Sequence, residues 1–141
     1  MKTRKVIVDT GPLVAYLNKN DAFHTWVLET LAMLTPPLYT CEAVLSEACF
    51  LLRHYEDGAE NILNLMERRT LLVPFNLADE SSAVRELLKK YHDVPMSLAD
   101  ACLVRMVEQV SDSSLLTLDK DFTIYRIHQR KVIPIIMPLN K

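Results

Sequence analysis

Four acids stand where an ordinary protein surface gives no reason for them: Asp9, Glu47, Asp100 and Asp119. Asp9 closes the apolar run VIV, and Asp119 closes LLTL. In EAVLSEACFLLR, Glu47 is the only charge between Glu42 and Arg53. Val44 lies three positions before it and Leu51 four after, so it shares their side of a helix. In SLADACLVRMVEQV, the positions three, four and seven after Asp100 are Leu103, Val104 and Val107. Asp100 therefore falls on the apolar stripe, with Arg105, Glu108 and Gln109 mostly elsewhere. A carboxylate on such a face costs desolvation energy unless something pairs with it, and these segments hold no matching set of buried-looking Lys or Arg. Crowded together, the four would be driven towards protonation. A hard divalent cation, Mg²⁺ or Mn²⁺, relieves that repulsion through oxygen ligands. Such an ion lowers the pKa of a bound water and polarises a phosphoryl group, while a spare carboxylate orients the water or takes its proton. Metal-assisted phosphodiester hydrolysis is the reaction class.

Each acid also has a plainer role. Ser97-x-x-Asp100 fits a capping box with Asp in place of Glu or Gln. Glu47 can pair with a buried Arg or cap a loop. Asp9 and Asp119 can be turn formers at strand exits. Asp121, in LDKDF, either reaches the same cation or caps the short helix after it. Asp93 precedes a proline in HDVPMS, where a turn role is expected.

The elements that must carry these acids alternate along the chain. Short apolar runs predict strands at Lys5–Val8, Leu38–Cys41, Leu71–Pro74, Ser114–Leu118 and Val132–Met137. Helical spacing predicts helices near Pro12–Leu17, His24–Leu34, Glu42–Tyr55, Ala59–Arg68, Leu77–Tyr91 and Leu98–Val110, with a short turn after Asp121. The first and fourth strands lack polar alternation, as in a parallel sheet covered on both faces. The fold class is α/β, a three-layer α/β/α sandwich. In such folds ligands gather outside the carboxyl ends of the strands, where VIV-Asp9 and LLTL-Asp119 end.

With 141 residues, two glycines and no linker-like or repeated segment, residues 1–141 are expected to form a single domain. The formal charge of −2 gives no global sign of nucleic-acid binding, so positive charge must be sought in local patches. No run approaches a membrane span, and the apolar stretch after the basic MKTRK is broken by Asp9 and Gly11-Pro12, unlike a signal peptide. Cys41, Cys49 and Cys102 form no Cys-x-x-Cys pair, so reduced, buried thiols and a cytoplasmic setting are expected. His24, His92 and His128 have no zinc-ligand spacing. Phe23 and Trp26 read as core or as a protein–protein face.

The same residues resemble the PIN-domain ribonucleases, including the VapC-type toxins of toxin–antitoxin pairs. VIVDTGPLVAYL is similar to that family's opening strand and turn, EAVLSEACFLLR to its second acidic segment, VPMSLADACLV to its third and LLTLDKDF to its fourth. The resemblance covers nearly the whole chain. It implies a five-stranded parallel sheet and a Mg²⁺- or Mn²⁺-dependent endoribonuclease whose metal and catalytic residues are Asp9, Glu47, Asp100 and Asp119. It also implies a supporting hydroxyl at Thr117, homodimers and a small antitoxin partner.

An acidic centre needs positive charge around it to hold RNA. Arg126, Arg130 and Lys131, with His128 between them, form the best basic cluster, and an exposed loop is its plainer reading. Arg4, Lys5, Arg53 and His54 are further candidates. A competing class is a PIN-like module that has lost catalysis and binds RNA or protein. An aspartyl-phosphate phosphotransferase would want a second Asp where Gly11 stands, and a dinucleotide site would want a Gly-x-Gly-x-x-Gly that is missing.

Overall fold

The computed structural model describes residues 4–139, so of the opening basic run only Arg4 and Lys5 are described. Five parallel strands form the main sheet in the order β3-β2-β1-β4-β7, from Lys5–Val8 (β1), Leu38–Tyr39 (β2), Leu71–Leu72 (β3), Ser113–Leu116 (β4) and Ile135–Ile136 (β7). The helices are α1 (Thr10–Leu17), α2 (His24–Ala32), α3 (Glu42–Leu51), α4 (Gly58–Glu67), α5 (Leu77–Lys90) and α6 (Leu98–Gln109). A 3-10 turn covers Lys120–Thr123, and β5 (Arg126–Ile127) pairs antiparallel with β6 (Lys131–Val132). This is the α/β sandwich expected from the sequence. Among the described residues, no helix is long and apolar enough to cross a membrane.

β1 and β4 are the central strands, and their residues Ile7, Leu115 and Leu116 are fully buried. Hydrophobic residues cover both faces of the sheet, which is why these strands show no polar alternation. α6 is the most deeply seated helix, with Ala101, Leu103 and Val104 wholly inside. Trp26 packs against the core. Cys41 and Cys102 are buried thiols and Cys49 is half-buried.

One predicted strand is two. Val132–Met137 is divided into β6 and β7 because β6 belongs to the small hairpin while Pro134, which has no N–H, lies between them. The Pro134 carbonyl accepts from Leu115 N–H at 2.8 Å and so starts the β4–β7 pairing. The helix predicted over Glu42–Tyr55 stops at Leu51. The following turns bring α4 back against it, with Gly58 at the close approach: a Cβ there would lie 2.4 Å from the Leu52 carbonyl oxygen.

Candidate active site

Two strand ends and two helices supply the acids. β1 ends at Val8, and Asp9 becomes the N-cap of α1, its carboxylate accepting from Thr10 N–H at 2.7 Å. β4 ends at Leu116, and Asp119 caps the 3-10 turn, accepting from Asp121 N–H at 2.9 Å. The parallel pairing of β1 with β4 sets these two exits side by side. Asp100 stands in the first turn of α6, where Ser97 and Asp100 complete a capping box. The capping box offered as the plainer role of Asp100 is present, Asp9 caps α1 where a turn role was the plainer reading, and both coexist with a place in the cleft. The capping expected of Asp121 falls to Asp119 instead, because the turn begins at Lys120.

Asp9, Glu47, Asp100, Asp119 and Asp121 all line one open cleft of about 660 Å³ at the carboxyl edge of the sheet. Thr10, Ser97 and Lys120 share it, and Lys120 is the only basic side chain among its lining residues. Among the described residues, no three His, Cys, Asp or Glu side chains close into a ready-made ion cage. The arrangement is an open array. Mg²⁺ keeps several waters and needs only one or two direct carboxylates, so such an array suits it.

The electrostatics differ from acid to acid. Asp9 is 7% exposed. Its pKa is raised to about 6: burial pushes it up most, hydrogen bonds from Thr117 and Thr10 pull it down, and the charges of Asp100 and Asp119 add to the rise. Asp100 is also raised, first by burial, against bonds from Ser97 and Tyr125, with Asp119 adding repulsion. Glu47 corrects the sequence expectation. It is exposed on the cleft side of α3 beside the exposed Leu51, while Val44 and Ala48 take the core face. An apolar neighbour at i+4 therefore did not mean burial for Glu47.

Asp9, Glu47, Asp100 and Asp119 are each held by a protein donor. Thr117, itself fully buried, donates from Oγ1 to Asp9 Oδ2 at 2.7 Å and accepts from Asp119 N–H at 3.0 Å. Thr10 Oγ1 donates to Glu47 Oε1 at 2.9 Å. The Tyr125 hydroxyl donates to Asp100 Oδ2 at 3.2 Å. Glu47 Oε2, Asp100 Oδ1 and Asp119 Oδ2 have no protein donor among the described residues. Each of these carboxylates is oriented through one oxygen and free at the other, as outer partners orient metal ligands. All-oxygen donors and repelling charges fit a hard divalent cation.

Sequence reading missed Thr10, Lys120 and Tyr125. Thr10 follows Asp9 directly, but nothing in the sequence reveals its bond to Glu47, 37 positions away. The basic cluster lies elsewhere. Arg126 folds back onto the carbonyls of Thr123, Ile124 and Tyr125 at 2.8–3.1 Å. Lys131 lines a separate cleft with Arg4, Asp112, Ser113 and His128, at the amino-terminal ends of β1 and β4. Neither they nor Arg130 line the acidic cleft.

A compact parallel sandwich with clustered carboxylates at its carboxyl edge defines a recognised class. The PIN domain family model matches residues 6–127, and the chain belongs to that family. Its fold is also that of the crystal structure of Mycobacterium tuberculosis VapC20, described as a sarcin-ricin loop cleaving toxin. The two share 22% sequence identity with a TM-score of 0.78, over 90% of this chain and 99% of that one. No curated protein matches the chain.

Proposed function

We propose that this protein is a Mg²⁺- or Mn²⁺-dependent endoribonuclease, the toxin of a toxin–antitoxin pair, working in the cytoplasm. The observation that carries this reading is the meeting of Asp9, Glu47, Asp100 and Asp119 in one cleft, where burial and mutual repulsion raise Asp9 and Asp100. Membership of the PIN domain family and the fold shared with a sarcin-ricin loop cleaving toxin support it. A bound ion would activate water and stabilise the leaving oxygen. Asp9 and Asp100, fixed from behind by Thr117 and Tyr125, are the proposed metal ligands, with Glu47 and Asp119 completing the set. The exposed carboxylates Glu47 and Asp119 are placed to orient a water or take its proton. Lys120, the basic residue lining the cleft, would hold an RNA phosphate, with Arg126, Arg130 and Lys131 as contacts outside it. Exposed Leu28 on α2 and Phe50 and Leu51 on α3 support a homodimer or antitoxin surface.

A catalytically inert binding module would have no need for four acids each oriented by a donor. The test is incubation of the purified protein with total RNA in Mn²⁺ or EDTA, followed by mapping of RNA ends. Cleavage is expected in Mn²⁺ alone, and Asp9→Asn or Asp100→Asn should remove it. Equal cleavage in EDTA would sink the metal reading.

A further inference from the structure

Tyr125 is the largest fully buried side chain described, and it lies beyond the motif that carries the last acid. Its ring meets Tyr91 and Phe122 edge to face, with centroids 5.0 and 5.3 Å away, so its orientation is fixed by two aromatic neighbours. The Tyr91 hydroxyl accepts from Arg126 N–H at 2.9 Å and makes no bond to Asp100. A phenol held this way can be aimed. A buried hydroxyl must find a partner, and this one finds the Asp100 carboxylate.

The other support for Asp100 comes from the capping box. The Ser97 N–H reaches the same oxygen, Oδ2, only at 3.4 Å. The capping box holds Oδ2 from the helix end only, and Tyr125 approaches the same oxygen at 3.2 Å from inside the protein. We propose that Tyr125 is the positioning residue of Asp100: its hydroxyl fixes Oδ2 from inside the protein, so that Oδ1 is presented to the cleft and to a divalent cation. This rests on the metal reading above. Tyr125 then serves Asp100 as Thr117 serves Asp9. The two central acids are each tethered by a buried hydroxyl from the same stretch of chain.

The experiment is Mn²⁺ binding to the full chain after EDTA treatment, read by calorimetry and by water-proton relaxation, for the unsubstituted protein, Tyr125→Phe and Tyr91→Phe. Tyr125→Phe keeps the ring and its edge contacts and removes the bond to Asp100. Tyr91→Phe removes a hydroxyl from the same aromatic cluster without touching Asp100. Tyr125→Phe is expected to weaken Mn²⁺ about tenfold or more, the usual effect of losing an outer partner of a ligand, and Tyr91→Phe to leave it unchanged. Equal weakening in both would make Tyr125 a packing residue and overturn the proposal, as would unchanged affinity in Tyr125→Phe. If the unsubstituted protein binds no Mn²⁺, the metal reading fails and this proposal with it. If it binds Mn²⁺ and only the Tyr125 contrast is missing, this proposal fails alone. A measurement without substitution stands beside these. The Tyr125 hydroxyl proton should give a slowly exchanging, downfield NMR signal, and exchange at the rate of an exposed tyrosine would overturn its bond to Asp100.

Discussion

The hydroxyl of Thr117 reaches Asp9 Oδ2 at 2.7 Å although the two residues are 108 positions apart in the chain. The same oxygen atom accepts from Asp119 N–H, so one side chain couples the first acid to the last. Thr117→Val keeps the shape and removes both bonds. Leaving a buried carboxylate and an amide without this partner is expected to cost about 1–3 kcal/mol in chemical denaturation. Mn²⁺-dependent cleavage should fall by about 10–100-fold. Wild-type cleavage in this variant would show that Thr117 supports the fold alone.

Asp9 gives the metal-free protein a definite pH dependence. Its folded pKa of about 6 lies above the ordinary aspartate value of 3.8. The folded state therefore holds the proton longer than the unfolded chain. The stability contributed is fully present below about pH 4 and is lost as pH rises through about 6. About two units of difference corresponds to about 3 kcal/mol. In EDTA at pH 7, Asp9→Asn should be more stable than the unsubstituted protein, by up to that amount. With Mn²⁺ the order should reverse, because only the carboxylate can bind the ion. Urea melts at pH 4, 6 and 7.5 would check both signs.

Asp119 and Asp121 should separate cleanly. Asp119 caps the turn and has an oxygen open to the cleft, while Asp121 donates its N–H to that cap. Asp119→Asn is expected to reduce Mn²⁺-dependent cleavage to background, and Asp121→Asn to leave most of it. The reverse ranking in end-labelled RNA assays would reassign the fourth acid.

Gly58 tests packing far from the chemistry. A methyl group there meets the Leu52 carbonyl oxygen at 2.4 Å and the Leu52 Cβ at 2.8 Å. Backbone cannot yield as a flexible side chain does, so Gly58→Ala is expected to cost about 1–3 kcal/mol. Cleavage per folded molecule should be unchanged at low temperature.

Much of this was legible in the sequence because the central elements are locally consistent. VIV reads as a buried strand and Ser97-x-x-Asp100 marked the start of α6, as observed, while the strand expected over Ser114–Leu118 runs Ser113–Leu116 and stops before Thr117. What failed depended on three-dimensional neighbours. Glu47 shares a helical side with Leu51, but that side borders the cleft, and no spacing rule distinguishes a core-facing stripe from a cleft-facing one. Pro134 signalled an interruption in the last strand, but the partner of β6 was hidden because β5 spans only Arg126–Ile127. Arg126 looked like a free cation and is occupied by three carbonyls of the preceding turn. Tyr125 carried no local signal at all, since its acceptor lies 25 positions earlier on another element.

The sheet order has a consequence for synthesis. β1 emerges early, but the neighbour that brings Asp119 beside Asp9 is β4, encoded in the last third of the chain. A nascent polypeptide whose β4 is still inside the ribosomal tunnel lacks the strand that sets Asp119 beside Asp9. Until β4 has emerged and paired with β1, no copy carries the aligned pair of strand exits.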